Sequence, residues 1–226
     1  MRRLKADFHT HTADDPNDTL CHSSEMLIDA AAAEEVEVLA ITCHERFVYT
    51  ESLSRYAERR GILLIPGIEA MIEGSHVLIL NPDDAHIRAK TFGELRALGR
   101  GNAAFIAPHP FYPTPNSLHR TLGENHDLFD AIEWCSLYLG PLNPNVFAAQ
   151  AARRYRLPMV GTSDTHELPY CGNTFSWIEA EPTIAGVVEA IRGGRVEVET
   201  RSWSPLPAAR FALYAARGIV GDLVGI

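Results

Sequence analysis

Short apolar runs recur along the 226-residue chain, each followed by a polar loop and then by a segment with helix signals. Leu4 to Phe8, Val36 to Thr42, Ile62 to Ile68, Val77 to Leu80, Ala103 to Ala107, Ala131 to Trp134 and Leu157 to Gly161 read as strands, and the β-branched richness of Val36 to Thr42 is that of a buried one. Trp177 to Ala180 and Val196 to Thr200 are two further strand candidates near the end.

Helix signals fill the intervals. Ser24 is an N-cap, with Glu25 in the first turn and Met26, Leu27 and the alanines 30 to 33 behind it. Ser52 to Arg60 stops at Gly61, and Thr91 with Glu94 has capping-box spacing for a helix ending at Gly99. Asn145 to Tyr155 and Thr183 to Arg192 complete the set, and the amphipathic tail over 205–226 is expected to pack as a closing helical segment. Strands alternating with helices at this spacing predict parallel βαβ units. The expectation is one α/β domain over 1–226, with no linker or fixed-period repeat to divide it.

In a closed barrel of such units, functional side chains gather at the carboxyl ends of the strands. That is where this chain places its chemistry. His9 and His11 are two residues apart beside the first strand, a spacing that points both rings to one face. His44, Glu69, His109 and Asp164 each follow an apolar run, His109 is held between two prolines, and His166 repeats the Asp-x-His pattern near the other end. With His22 and His76 the set is too large for one metal ion. Imidazoles with a few carboxylates suit zinc, iron or manganese, and Glu69 can bridge two ions.

Composition narrows the surroundings. With 46% hydrophobic and 22% charged residues the chain reads as globular. No apolar stretch is long enough to cross a bilayer and no signal-peptide pattern follows Met1-Arg2-Arg3, so the expected location is cytoplasmic. Cys21, Cys43, Cys135 and Cys171 form no CxxC pair and read as reduced thiols. A net charge of -9 disfavours stable duplex nucleic-acid binding, and no protein partner is indicated.

The ordered motifs, HTH at His9 to His11, AITCH ending at His44, GIE ending at Glu69, SHVL at His76, APHP at His109 and SDTH at Asp164 to His166, resemble those of the PHP family of metal-dependent phosphoesterases, named for polymerases and histidinol phosphatase. The resemblance implies a distorted, TIM-like (β/α)7 barrel with three divalent ions. It puts His9 and His11 on one ion with Glu69 and Asp164, and has Glu69 bridge to a second held by His76 and His109. A third ion would take His22, His44 and His166, with Asp14, Asp15 and Asp18 as alternatives to His22 in the long preceding loop. The implied catalytic set, acting through bound metals and hydroxide, is His9, His11, Glu69, Asp164 and His166.

Cys43 stands where the family usually has aspartate, and an inert packing role is the preferred reading over a ligand or redox thiol. Glu133 is read either as an acceptor that orients a ligand histidine or as a structural carboxylate, and Asp7 as structural or supporting. Arg46, His119 and Arg120 are candidates for gripping a substrate phosphate. His86 and His126 read as surface residues. The expected activity is hydrolysis of a small phosphate monoester, a nucleotide or a metabolite such as histidinol phosphate, by attack of a metal-bound hydroxide. The rivals are a metal-dependent amidohydrolase, weakened because neither Lys5 nor Lys90 sits at a strand end, and a non-catalytic metal-stabilised binding domain.

Overall fold

The computed structural model describes residues 1–170 and 172–203. Cys171 and the closing segment expected over 205–226 lie outside the described residues.

Nine strands make one sheet. In chain order they are β1 (Arg2–Asp7), β2 (Val38–Ile41), β3 (Leu63–Ile72), β4 (Ser75–Leu80), β5 (Ala104–Ala107), β6 (Ala131–Cys135), β7 (Met159–Thr162), β8 (Thr174–Ala180) and β9 (Val196–Thr200). Helices α1 (Ser24–Ala33), α2 (Glu51–Glu58), α3 (Asp84–Arg88), α4 (Phe92–Leu98), α5 (Arg120–Asn125), α6 (Asn145–Tyr155) and α7 (Ile184–Arg192) connect them. Thr91 and Glu94 form the expected capping box of α4. The N-cap of α1, however, is Ser23 rather than Ser24, its hydroxyl accepting from the Met26 amide, and α2 is capped by Thr50, ahead of the expected start at Ser52.

The α/β barrel expectation holds, but the sheet is neither seven-stranded nor wholly parallel. Its order is β7-β6-β5-β4-β3-β2-β1-β8-β9. β1, β2 and the first half of β3 run parallel, as do β5, β6 and β7. β3 changes partner midway, pairing with β2 over residues 63–66 and with β4, antiparallel, over residues 67–72. Glu69 therefore lies inside a ten-residue strand rather than at a strand exit. The turn at Glu73-Gly74 is tight enough to need positive φ at both residues (48° and 81°), and it reverses the chain so that β4 brings in His76.

The sheet nearly closes between β1 and β7. Past the end of each strand, the amide of His11 donates to the Thr165 carbonyl and the amide of Asp164 to the His9 carbonyl, both at 3.0 Å. Lower down, β8 lies antiparallel to β1 and presses on β7, where a Cβ on Gly161 would sit 2.4 Å from the Phe175 carbonyl oxygen. Only glycine fits that approach. Alternate strand residues fill the interior: Leu4, Ala6, Phe8, Val38, Ala40, Ile65, Leu78, Leu80, Ile106 and Val160 form one apolar cluster, all almost fully buried. Polar side chains concentrate at the closed seam above it. No helix among the described residues is long and apolar enough to cross a membrane.

Candidate metal centre

Closure of the seam puts the two Asp/His motifs of the sequence, at opposite ends of the chain, side by side. Four of the rings, those of His9, His11, His44 and His166, are then aimed by a second group. Glu133 in β6, fully buried, accepts from His9 Nδ1 at 2.7 Å and from the Thr162 hydroxyl at 2.5 Å, and its other oxygen accepts from the His109 amide. Asp15 Oδ2 accepts from His11 Nδ1 (2.8 Å), His44 Nδ1 (2.9 Å) and the His44 amide (2.8 Å). His166 Nδ1 donates to the Asp164 carbonyl at 2.9 Å. Committing Nδ1 in this way leaves Nε2 as the metal-facing nitrogen.

Those nitrogens converge on carboxylates. Glu69 Oε2 lies 3.2, 3.4 and 3.0 Å from Nε2 of His9, His11 and His44. Its Oε1 lies 2.8 Å from His76 Nδ1 and 3.2 Å from His109 Nε2. Asp164 Oδ1 is 3.3 and 3.5 Å from Nε2 of His9 and His11, and Asp18 Oδ2 is 3.3 Å from both His44 Nδ1 and His166 Nε2. Four overlapping groups result among the described residues: His9 with Glu69 and His109, His9 with His11 and Asp164, His44 with Glu69 and His76, and His11 with Asp15, Asp18 and His44. In each, the ligand atoms all lie within 4.8 Å of one another. His109 (φ 26°) and Asp164 (φ 51°) adopt backbone conformations that non-glycine residues seldom take, the strain expected of residues held for a purpose.

The groups fit divalent ions. His11 Nε2, both ring nitrogens of His76, Asp164 Oδ1 and Asp18 Oδ2 are buried with no properly directed hydrogen bond, despite close neighbours. An unsatisfied buried polar atom costs about 1–3 kcal/mol, so several in one place mark atoms directed at a ligand. Imidazole with carboxylate is the donor set of zinc, iron and manganese.

Within the cluster, imidazoles and carboxylates shift one another's pKa values. Burial opposes ionisation of His9, but the Asp164, Glu69 and Glu133 carboxylates outweigh it and raise its pKa well above the usual value. His44, His109 and His166 are raised for the same reason against the same burial penalty. Burial likewise pushes Glu69 and Asp164 upward, yet the surrounding histidines bring both well below the ordinary carboxylate range. His11 is lowered, by burial first and by His166 next.

His9, His11, His44, Glu69, His76, His109, Asp164 and His166 thus come together as expected. His166 lies outside the four groups but reaches them through Asp18 and Asp164, whereas His22 is in none of them and its Nε2 donates to the His11 carbonyl at 2.8 Å. The reason is the loop, which folds back through a turn (Asp15 amide to Thr12 carbonyl, 2.9 Å) and a rung between the Ala13 amide and the His22 carbonyl (2.8 Å). That fold sends Asp15 and Asp18 inward instead. Asp14 bonds Ser24 and Thr12 outside the groups.

Of the three phosphate-gripping candidates, none touches the cluster. Arg46 is exposed, His119 contacts the Thr114 carbonyl (3.3 Å), and Arg120 opens α5 and pairs with Glu124 (2.8 Å). The surface reading of His86 is wrong. It is 3% exposed, completes the capping box of α3 with Asp83, and bonds the Gly99 carbonyl at 2.8 Å. His126 is half-buried and stacks on Tyr155. Cys43 packs in the apolar cluster of α1, β2 and α2 with its thiol 3.5 Å from the Thr12 hydroxyl, and burial raises its pKa. Asp7 accepts from the Ser163 amide and the Tyr170 hydroxyl, tying β1 to the loop after β7. Sequence reasoning missed Ser117, whose Oγ lies 3.4 Å from His109 Nδ1, eight residues away in an irregular loop.

Comparison with known proteins bears on the fold that carries this site. Residues 143–196 match the family model described as PHP-associated. Among solved structures, a two-domain protein from Bacteroides vulgatus containing a predicted PHP-like metal-dependent phosphoesterase superposes with a TM-score of 0.69 at 22% identity, covering 88% of this chain and 65% of that one. An amidohydrolase from Chromobacterium violaceum with bound sulfate gives 0.59 at 16% identity over 85% and 97% of the two chains. The lesion-specific endonuclease Q of Pyrococcus furiosus gives 0.58 at 16% over 87% and 58%. The chain therefore spans less than two thirds of the Bacteroides protein and of the endonuclease. No curated protein matches it. The family model matches only the segment 143–196, and the superpositions, all below 25% identity, show a shared fold.

Proposed function

We propose that the chain is a metal-dependent hydrolase of phosphate esters. The observation that carries the reading is Glu69: one buried carboxylate turns one oxygen to His9, His11 and His44 and the other to His76 and His109, so two ligand groups share it. His9, His11, Glu69 and Asp164 would hold one ion, Glu69, His76 and His109 a second, and His44 with His166 and Asp18 a third. Divalent cations held there would supply charge to offset the ester's phosphate and would lower the pKa of a water toward about 7.

The protein's own part is positioning. Glu133 and Asp15 fix the rings of His9, His11 and His44, the β1–β7 seam fixes Asp164 and His166, and the apolar cluster beneath keeps the site on a rigid base. The amidohydrolase alternative draws support from the Chromobacterium neighbour, but Lys5 bonds the Glu34 carbonyl and Lys90 pairs with Glu45, so neither lysine reaches the cluster. Net charge argued against duplex nucleic acid, whereas the endonuclease Q neighbour keeps nucleic-acid esters within the substrate range.

The test is phosphate release by manganese-loaded protein from histidinol phosphate, mononucleotides, short oligonucleotides and p-nitrophenyl phosphate, each with a chelated control. Chelator-sensitive release supports the reading. Metal uptake with no release from any ester, and turnover of a carboxamide or lactone, would replace it with the amidohydrolase.

A further inference from the structure

The displaced candidates His119 and Arg120 line a different feature, a groove of about 690 Å³ bounded by α5 and α6. Phe111, two residues past His109, opens it on the side of the metal centre. Phe147, near the start of α6, stands edge-on to Phe111 with ring centroids 6.4 Å apart and is 58% exposed, far more than a phenylalanine usually is. Tyr155 closes the other end, its ring fixed by His126 stacked at 4.3 Å.

Cations are interleaved with these rings. Arg154 lies 5.6 Å from the Tyr155 centroid and has no carboxylate partner among the described residues. Arg120 shares its charge with Glu124, and His119 sits at the rim. From Phe147 to Tyr155 the helix rises about 12 Å, longer than one phosphoryl group and enough for more than one nucleotide. Phe111 and Tyr155 are half-buried against the core, so the open aromatic face is that of Phe147. An exposed aromatic face flanked by arginines is the chemistry that holds single-stranded nucleic acid, by stacking a base and pairing phosphates. In a chain of net charge -9, the groove sets Arg120 and Arg154 against the single carboxylate of Glu124.

We propose that this groove binds single-stranded nucleic acid, holding the nucleotides that flank the phosphate ester presented to the metal centre. The proposal rests on the phosphoesterase reading and narrows its substrate from a small metabolite to an oligonucleotide. Phe147 supplies a stacking face and Arg154 a phosphate contact; both lie outside the metal cluster.

The test uses the full, metal-loaded chain and its Phe147→Ala and Arg154→Gln variants. Fluorescence anisotropy with a short labelled phosphorothioate oligothymidylate gives affinity, and p-nitrophenyl phosphate gives the basal rate. Each variant is expected to weaken oligonucleotide binding about tenfold, the scale of one lost stack or contact, and Arg154→Gln to flatten its salt dependence, with the basal rate unchanged. Wild-type affinity in both variants overturns the proposal. So does self-association of the chain that Phe147→Ala abolishes, which would give the groove to a second copy. If p-nitrophenyl phosphate is hydrolysed but the oligomer is not bound, the groove proposal alone fails. If no ester is hydrolysed, the phosphoesterase reading fails, and anisotropy still decides the groove.

Discussion

His76 and His86 are both buried, 6% and 3% exposed, ten residues apart in sequence, and physically opposite. In the first turn of α3, His86 has both ring nitrogens occupied: the Asp83 amide donates to Nδ1 in the capping box, and Nε2 donates to the Gly99 carbonyl. At the start of β4, His76 has neither nitrogen in a directed hydrogen bond, although Glu69 is 2.8 Å away. Burial alone therefore says little about a histidine. What separates a structural ring from a ligand ring is whether its polar atoms are already answered by the protein.

The largest break in that comparison comes from removing a ligand. His9→Ala or Asp164→Ala should lower ester turnover by about 10³-fold or more, the several kcal/mol that metal stabilisation of the transition state supplies, with the circular dichroism spectrum retained. Near-normal turnover in either metal-loaded variant would count against the centre. Next come the groups that aim the rings. Glu133→Gln and Asp15→Asn should each cost about 10–100-fold in metal affinity or activity, read by metal titration and steady-state kinetics. On the structural side, His86→Ala should lower stability by about 1–3 kcal/mol in urea unfolding and leave metal affinity unchanged.

The smallest expected effect is in pH dependence, and its sign differs with metal. His9, His44, His109 and His166 have raised pKa values in the metal-free cluster, so their stabilising contribution is complete below about pH 6.5 and is lost as pH rises through the folded values. Glu69 and Asp164 are depressed, so theirs is present above about pH 4 and lost as pH falls. Metal-free protein should lose melting temperature from about pH 6.5 upward through these groups. Metal-loaded protein should gain over the same range, because binding needs deprotonated imidazoles. Parallel slopes would show that the histidine protons and the metal do not compete.

Much of the site was legible because its ligands follow apolar runs, and strand exits share one end of a barrel. The ligand type at His44, His109 and Asp164 followed from that pattern alone. The family resemblance, with a helix start at Ser23-Ser24-Glu25 just after His22, favours His22 over Asp14, Asp15 and Asp18, whereas the loop's turn at Thr12 to Asp15 and its rung to His22 are backbone choices with no periodic signal. The antiparallel placement of β4 and β8 was hidden for a related reason: strand periodicity reports burial, and direction depends on pairing partners far along the chain. His86 and His126 read as surface residues in sequence because their partners, the Gly99 carbonyl and the Tyr155 ring, are 13 and 29 residues away.

Metal content is the most direct measurement of the central claim that Glu69 joins two ligand groups. After manganese loading and removal of free ion, the wild-type chain and Glu69→Gln would be assayed by inductively coupled plasma mass spectrometry. The account predicts at least two ions per wild-type chain and the loss of more than one in Glu69→Gln. No bound metal in the wild type, or the same content in both proteins, would contradict it.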